Sequence, residues 1–124
     1  MISDSDYDKV LQQYTWTILV LLYFAASDGA VKAHERMIIT EFFKRRNPHL
    51  QFDATKIEDI IKLFGRPDKS SFHKLVRERD GDSPLLQDIY ETAHAIIVSN
   101  SKAHTEQERA LEYLRKSWKD RIVA

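Results

Sequence analysis

Residues 23–37 and 96–110 are two imperfect copies of one element, an apolar helix end that runs through a tight polar turn into a second helix. The first copy reads Tyr-Phe-Ala-Ala-Ser-Asp-Gly-Ala-Val-Lys-Ala-His-Glu-Arg-Met and the second Ile-Ile-Val-Ser-Asn-Ser-Lys-Ala-His-Thr-Glu-Gln-Glu-Arg-Ala. Superposing Glu35-Arg36 on Glu108-Arg109 sets Ile38 on Leu111, and lays Phe24 and Ala25 over Ile97 and Val98. Two helical hairpins that face each other bury both apolar helix ends, so the pair narrows the fold to a helical bundle with internal pseudo-symmetry.

The rest of the chain agrees. Three glycines, three prolines and no alternating β-branched run between turns leave a helical pattern nearly throughout. Six helices are expected in an all-α fold. The first spans about Ser5 to Ser27, apolar on all faces in its second half and therefore surrounded by other helices; Asp28-Gly29 stops it. The second, from about Ala33 to Arg46, puts Ile38, Ile39, Phe42 and Phe43 on one stripe. Asp53 or Thr55 caps a third through Leu63, with Ile57, Ile60, Ile61 and Phe64 inward, and Gly65-Arg66-Pro67 ends it. A short fourth follows from about Lys69 to Glu78, capped by Ser70-Ser71, with Phe72, Leu75 and Val76 inward and Lys74, Arg77 and Arg79 outward. Ser83-Pro84 has the form of a cap followed by a first turn and opens the fifth helix, which reaches Asn100. Thr105 opens the sixth, with Leu111, Leu114, Trp118 and Ile122 facing in. No linker interrupts residues 1–124, which read as one domain with loose ends near 1–4 and 121–124.

Composition removes several functions. Nineteen basic and nineteen acidic residues cancel, so no net field draws the chain to nucleic acid. Without cysteine there is no disulfide framework and no thiolate metal site. The apolar run Tyr14–Ala26 is shorter than the roughly 20 residues a membrane span takes, and its flank with Asp4, Asp6 and Asp8 is acidic, unlike a signal peptide. A cytoplasmic protein is expected. No GxSxG turn or glycine-rich phosphate loop is present, and the chain reads as a non-enzyme.

The two turns separate structure from chemistry. In the second, Thr105-Glu106-Gln107-Glu108 has the form of a capping box, which gives Glu108 a structural reason to be there. In the first, Glu35 holds the same third position but the cap is Lys32, a poor N-cap. Glu35 is thereby left free to ligate something, or to close the turn from the other side with Asp28.

Ala26-Ser27-Asp28-Gly29, the apolar Val31, Glu35 and the apolar helix after it, repeated in weaker form near the C-terminus, resemble the TerB-like superfamily. That superfamily takes in the tellurite-resistance protein TerB and the N-terminal domain of the membrane-anchored co-chaperone DjlA. The resemblance covers about residues 10–120. It implies two pseudo-symmetric helical hairpins and an acidic turn cluster linked to metal binding, onto which Asp28, Glu35 and Glu108 map. It also implies a stress-response role and a protein partner, in one version a membrane-bound one. The second turn departs from the family in carrying Ser101-Lys102 where Asp-Gly is common, which sets a cation beside that half of the site. Two or three carboxylates alone would hold a divalent cation such as calcium weakly and partly hydrated, so a metal-responsive sensor is the alternative to a binding domain.

Other residues have plainer readings. A metal-dependent hydrolase would need at least three of His34, His94, His104 and the carboxylates in one cleft. His34 and His104 fall at nearly the same place in the two turns and read as solvent-facing; His94 reads as a hydrogen-bonded histidine at a helix interface. Lys44-Arg45-Arg46 suits the last turn of a helix; with Lys69, Lys74, Arg77 and Arg79 it could form a positive face for an acidic partner or for a membrane's anionic head groups. The aromatic residues fall at helical spacing and read as core. Trp16 and Tyr14 lie on different helix faces, so that one of them is left to mark a contact surface.

Overall fold

A computed structural model describes residues 4–25, 31–46, 55–78, 82–100 and 105–123, together with their side chains except those of 4–12, 14, 56 and 57. Six helices run through these residues: α1 (Asp4–Ala25), α2 (Ala33–Arg46), α3 (Thr55–Phe64), α4 (Lys69–Glu78), α5 (Ser83–Ser99) and α6 (Thr105–Ser117). No strand occurs among the described residues. The fold is an all-α bundle, as the spacing of apolar residues predicts.

α5 is the hub, packing against α1, α2 and α6, while α1 also meets α2, α3 and α4. In α1, Trp16, Thr17, Ile18 and every residue from Val20 to Ala25 are buried. Consecutive burial of this kind is possible in a helix only when neighbours close on all sides. Thr17 meets the requirement that buried polar groups be satisfied by turning its hydroxyl back to the Gln13 carbonyl, at 2.8 Å. Trp16 is thus core and marks no contact surface; Tyr14's side chain lies outside the described residues. No described helix is long and apolar enough to cross a membrane.

Helix ends show how the sequence places the middle segment. The last four carbonyls of a helix have no partner within it, and in α4 two of them are met by tryptophans. Trp16 Nε1 donates to the Leu75 carbonyl at 2.8 Å, and Trp118 Nε1 to that of Val76 at 3.0 Å. The two indole rings lie 6.1 Å apart. α4 is held in this way between α1 and the segment after α6, with Phe72 and Val76 buried. Across the molecule, Arg46 in the last turn of α2 pairs with Asp88 of α5.

Several expectations about ends and faces are corrected. α4 is capped by Asp68, whose Oδ1 accepts the Ser71 amide at 2.7 Å; that bond holds the Asp68 carboxyl below the usual carboxylate range. Ser70 and Ser71 lie inside the helix. α5 is capped by Asp82, which accepts from the Leu85 amide at 3.0 Å, so that Ser83 begins the helix. Pro84 then falls where an amide would have no helical partner, at no cost. His94 is exposed, because α5 buries Ile89, Thr92, Ala93, Ile96 and Ile97 on its other side.

α3 closes on Gly65, which has φ +69° and donates its amide to Ile61 at 2.8 Å. That left-handed conformation suits glycine. Ile60 and Ile61 pack against the core, but Phe64, expected inward, is 60% exposed, as is Leu63 at 77%. Phe64 is the last residue of α3 and flanks an open groove with Leu19 and Leu75 instead of extending the buried stripe.

Candidate functional site

The first turn element enters α2 through residues 31–36. Glu35 is buried. One oxygen of its carboxylate accepts the Lys32 amide at 3.0 Å, and the other accepts Asn100 Nδ2 at 3.4 Å. Glu35 therefore supplies one half of a capping box without any help from the cap side chain, and its second oxygen reaches the C-cap of α5. Each of its oxygens thus has a partner in the fold, where the poor cap at Lys32 suggests a freer carboxylate. The exposed His34 stands 3.3 Å from the Asn100 side-chain oxygen. Arg36 donates to the Val31 carbonyl at 3.2 Å and pairs with Glu58 of α3 at 2.9 Å.

In the second turn element the same sequence positions do different things. Glu108 is exposed, and among the described residues no hydrogen bond joins it to Thr105, so the expected capping box is not formed there. The inward residue is instead Gln107, which donates to the Phe24 carbonyl in the last described turn of α1 at 2.7 Å. Glu106 accepts the Tyr23 hydroxyl at 2.9 Å and lies 3.7 Å from Arg66. Arg66 also donates to the Tyr23 carbonyl, at 2.9 Å from Nη2, and sits 4.3 Å above the Tyr23 ring. Burial first, and then the Glu106 carboxylate, push the Tyr23 hydroxyl up to about 12.

Of the three carboxylates that map onto the superfamily's acidic cluster, Glu35 is thus buried and engaged while Glu108 faces solvent; Asp28 lies outside the described residues. So does His104. Among the described residues no three His, Asp or Glu side chains come together to hold a metal ion.

No family model, curated protein or solved structure matches the chain.

Two concave features stand out. The larger is a cleft of about 580 Å³ between α4 and α6, lined by Tyr23, Lys69, Phe72, His73, Thr105, Glu106, Arg109, Ala110 and Tyr113. Its rings are ordered in two stacks. Tyr23 lies on Phe72 at 4.1 Å with 9° between planes, and His73 on Tyr113 at 3.9 Å with 13°. Burial, with Lys69 and Arg77 nearby, holds the His73 imidazole below its ordinary range. The smaller is a groove of about 270 Å³ at the corner between α3 and α4, where Leu19, Phe64, Gly65, Pro67 and Leu75 meet Ser71, Lys74 and Glu78.

Neither feature is evident in the sequence, which gives His73 no role; Tyr23 is core, as its spacing predicts, and Tyr113 packs against the core from the cleft side. A signal was nonetheless present. Lys69 with His73, and Arg109 with Tyr113, place one cation and one ring a helical turn apart on each of two helices. Only the packing of α4 against α6 brings the two pairs to one cleft.

Proposed function

We propose that the chain is a non-enzymatic helical binding domain that works through protein–protein contact, with the α3–α4 corner as its docking surface. The observation that carries this reading is the pair Leu63 and Phe64, 77% and 60% exposed beside an apolar groove. Large adjacent apolar side chains left in water at a concave edge are favourable to cover, and aromatic anchors of this kind dominate binding energy in protein interfaces. The occupant is an amphipathic partner segment, apolar on one side and acidic at its rim. Of the two charged residues that line the groove, Lys74 and Glu78, the lysine is exposed and among the described residues has no ion-pair partner. The resemblance of the two turn elements to the TerB-like superfamily supports placing that partner in a stress-response assembly.

Selection of a displayed library of amphipathic helical peptides against the intact protein tests the reading. Enriched peptides should carry Leu or Phe at helical spacing with Asp or Glu alongside. Their affinity should fall at least tenfold for Leu63→Ser/Phe64→Ser and for Lys74→Glu, while the melting temperature stays close to that of the parent protein. Peptides that bind the parent and the Leu63→Ser/Phe64→Ser variant equally would remove the corner from consideration.

A further inference from the structure

We propose that the cleft between α4 and α6 is a second site, which binds a small planar aromatic anion, its ring among the aromatic walls and its anionic group on Lys69 and Arg109. At about 580 Å³ the cleft has the size of ordinary small-molecule sites. Its lining sets aromatic residues beside charged and polar ones.

Charge decides the sign of the ligand. The one carboxylate in the lining, that of Glu106, is already engaged by the Tyr23 hydroxyl and by Arg66. Lys69 and Arg109 line the same cleft, and among the described residues neither has an ion-pair partner. α6 also opens here with Thr105 and Glu106, so the positive end of its dipole adds to the field. Aromatic faces by themselves would also receive a cation, but Lys69 and Arg109 in the lining repel one.

The rings decide the shape. Tyr23 on Phe72 and His73 on Tyr113 are near-parallel stacks, joined through Phe72 and Tyr113 at 6.2 Å. Tyr23 and Phe72 are buried and back this wall, so the half-buried His73 and Tyr113 are the rings that meet a ligand, with the face or edge contacts that aromatic pairs favour. An aryl phosphate and an aryl carboxylate share the required chemistry.

The test is a titration of the intact protein, followed by two-dimensional NMR, with phenyl phosphate, inorganic phosphate and phenol as separate probes. Phenyl phosphate should saturate with a dissociation constant on the order of 0.1–1 mM, the range of small fragments, and should move the resonances of His73, Tyr113 and Ala110. It should also raise the pH at which His73 titrates, because a bound anion favours the imidazolium. Lys69→Ala and Arg109→Ala, both at exposed positions, should each weaken binding about tenfold, and together abolish saturation; Lys74→Ala, at the other groove, should leave it unchanged. Failure to saturate by 10 mM, or equal affinity in Lys69→Ala/Arg109→Ala, would overturn the site. Phenol binding as tightly as phenyl phosphate would overturn the role given to the charge, and inorganic phosphate doing so would overturn the role given to the ring.

Discussion

The two turn elements share a sequence pattern but bury different residues. On entering α2 the chain buries Glu35 and exposes His34; on entering α6 it buries Gln107, the counterpart of His34, and exposes Glu108, the counterpart of Glu35. One residue's difference in register is about 100° of rotation around a helix axis. The second helix of each element still meets the end of the other element's first helix, His34 and Glu35 at Asn100 and Gln107 at Phe24. What differs is the chemical group that makes the contact. A repeated sequence can therefore keep an architecture while exchanging which side chains are buried, and a site mapped from one copy onto the other does not carry over.

Exchanging the two residues is the sharpest way to break this comparison. Gln107→Ala should cost about 2 kcal/mol in urea unfolding, because the Phe24 carbonyl loses its donor in a buried place. His34→Ala should stay within about 0.5 kcal/mol, as exposed positions do. The exchange His34→Gln with Gln107→His should lose nearly as much as Gln107→Ala; a neutral result would show the two turns to be interchangeable after all.

The glutamates should rank the other way round. Glu35→Ala removes the acceptor of the Lys32 amide and of Asn100, and should cost about 1–2 kcal/mol, the range of lost helix caps. Glu108→Ala should shift stability by less than about 0.5 kcal/mol. Equal losses in the two variants would restore a capping role to Glu108.

Alkaline unfolding separates neighbours within the second turn. Tyr23 is raised to about 12 in the fold, chiefly by burial and then by Glu106, so the folded state retains a proton that the unfolded chain gives up near 10. Stability from this group is complete below pH 10 and is lost as pH climbs towards 12. Glu106→Gln should narrow that loss and Tyr23→Phe remove it, whereas Glu108→Gln should leave the pH profile of the melting temperature as it was.

Calcium should have the smallest effect. With Glu35 occupied by Lys32 and Asn100, and Glu108 in solvent, millimolar calcium should leave the melting temperature within a degree. A rise of several degrees that vanished in Glu35→Ala would bring Asp28 to Glu35 as a cation site, since a ligand that prefers the folded state stabilises it.

Helix order and the apolar stripe of α2 were legible because apolar periodicity is local and strong. The same holds for the all-round burial of α1, where an unbroken apolar run admits no other environment. Caps were legible only to within a residue or two, since Asp68 and Asp82 compete with neighbouring serines that cap almost as well. Phe64 was misplaced because an apolar stripe does not say where the neighbouring helix ends. Glu35 was singled out as unusual, but its contact with Asn100 was not legible, because that partner is 65 residues away. The cleft was invisible for the same reason: its two cation-and-ring pairs lie on helices that meet only in the folded molecule.

The tryptophans at the end of α4 have a practical consequence. The chain has two of them; both are buried, and both donate to adjacent carbonyls of one helical turn. The intrinsic fluorescence of the protein is therefore a gauge of whether α4 is seated. An emission shift to longer wavelength that runs ahead of the loss of circular dichroism would report that single helix lifting away while the remainder holds.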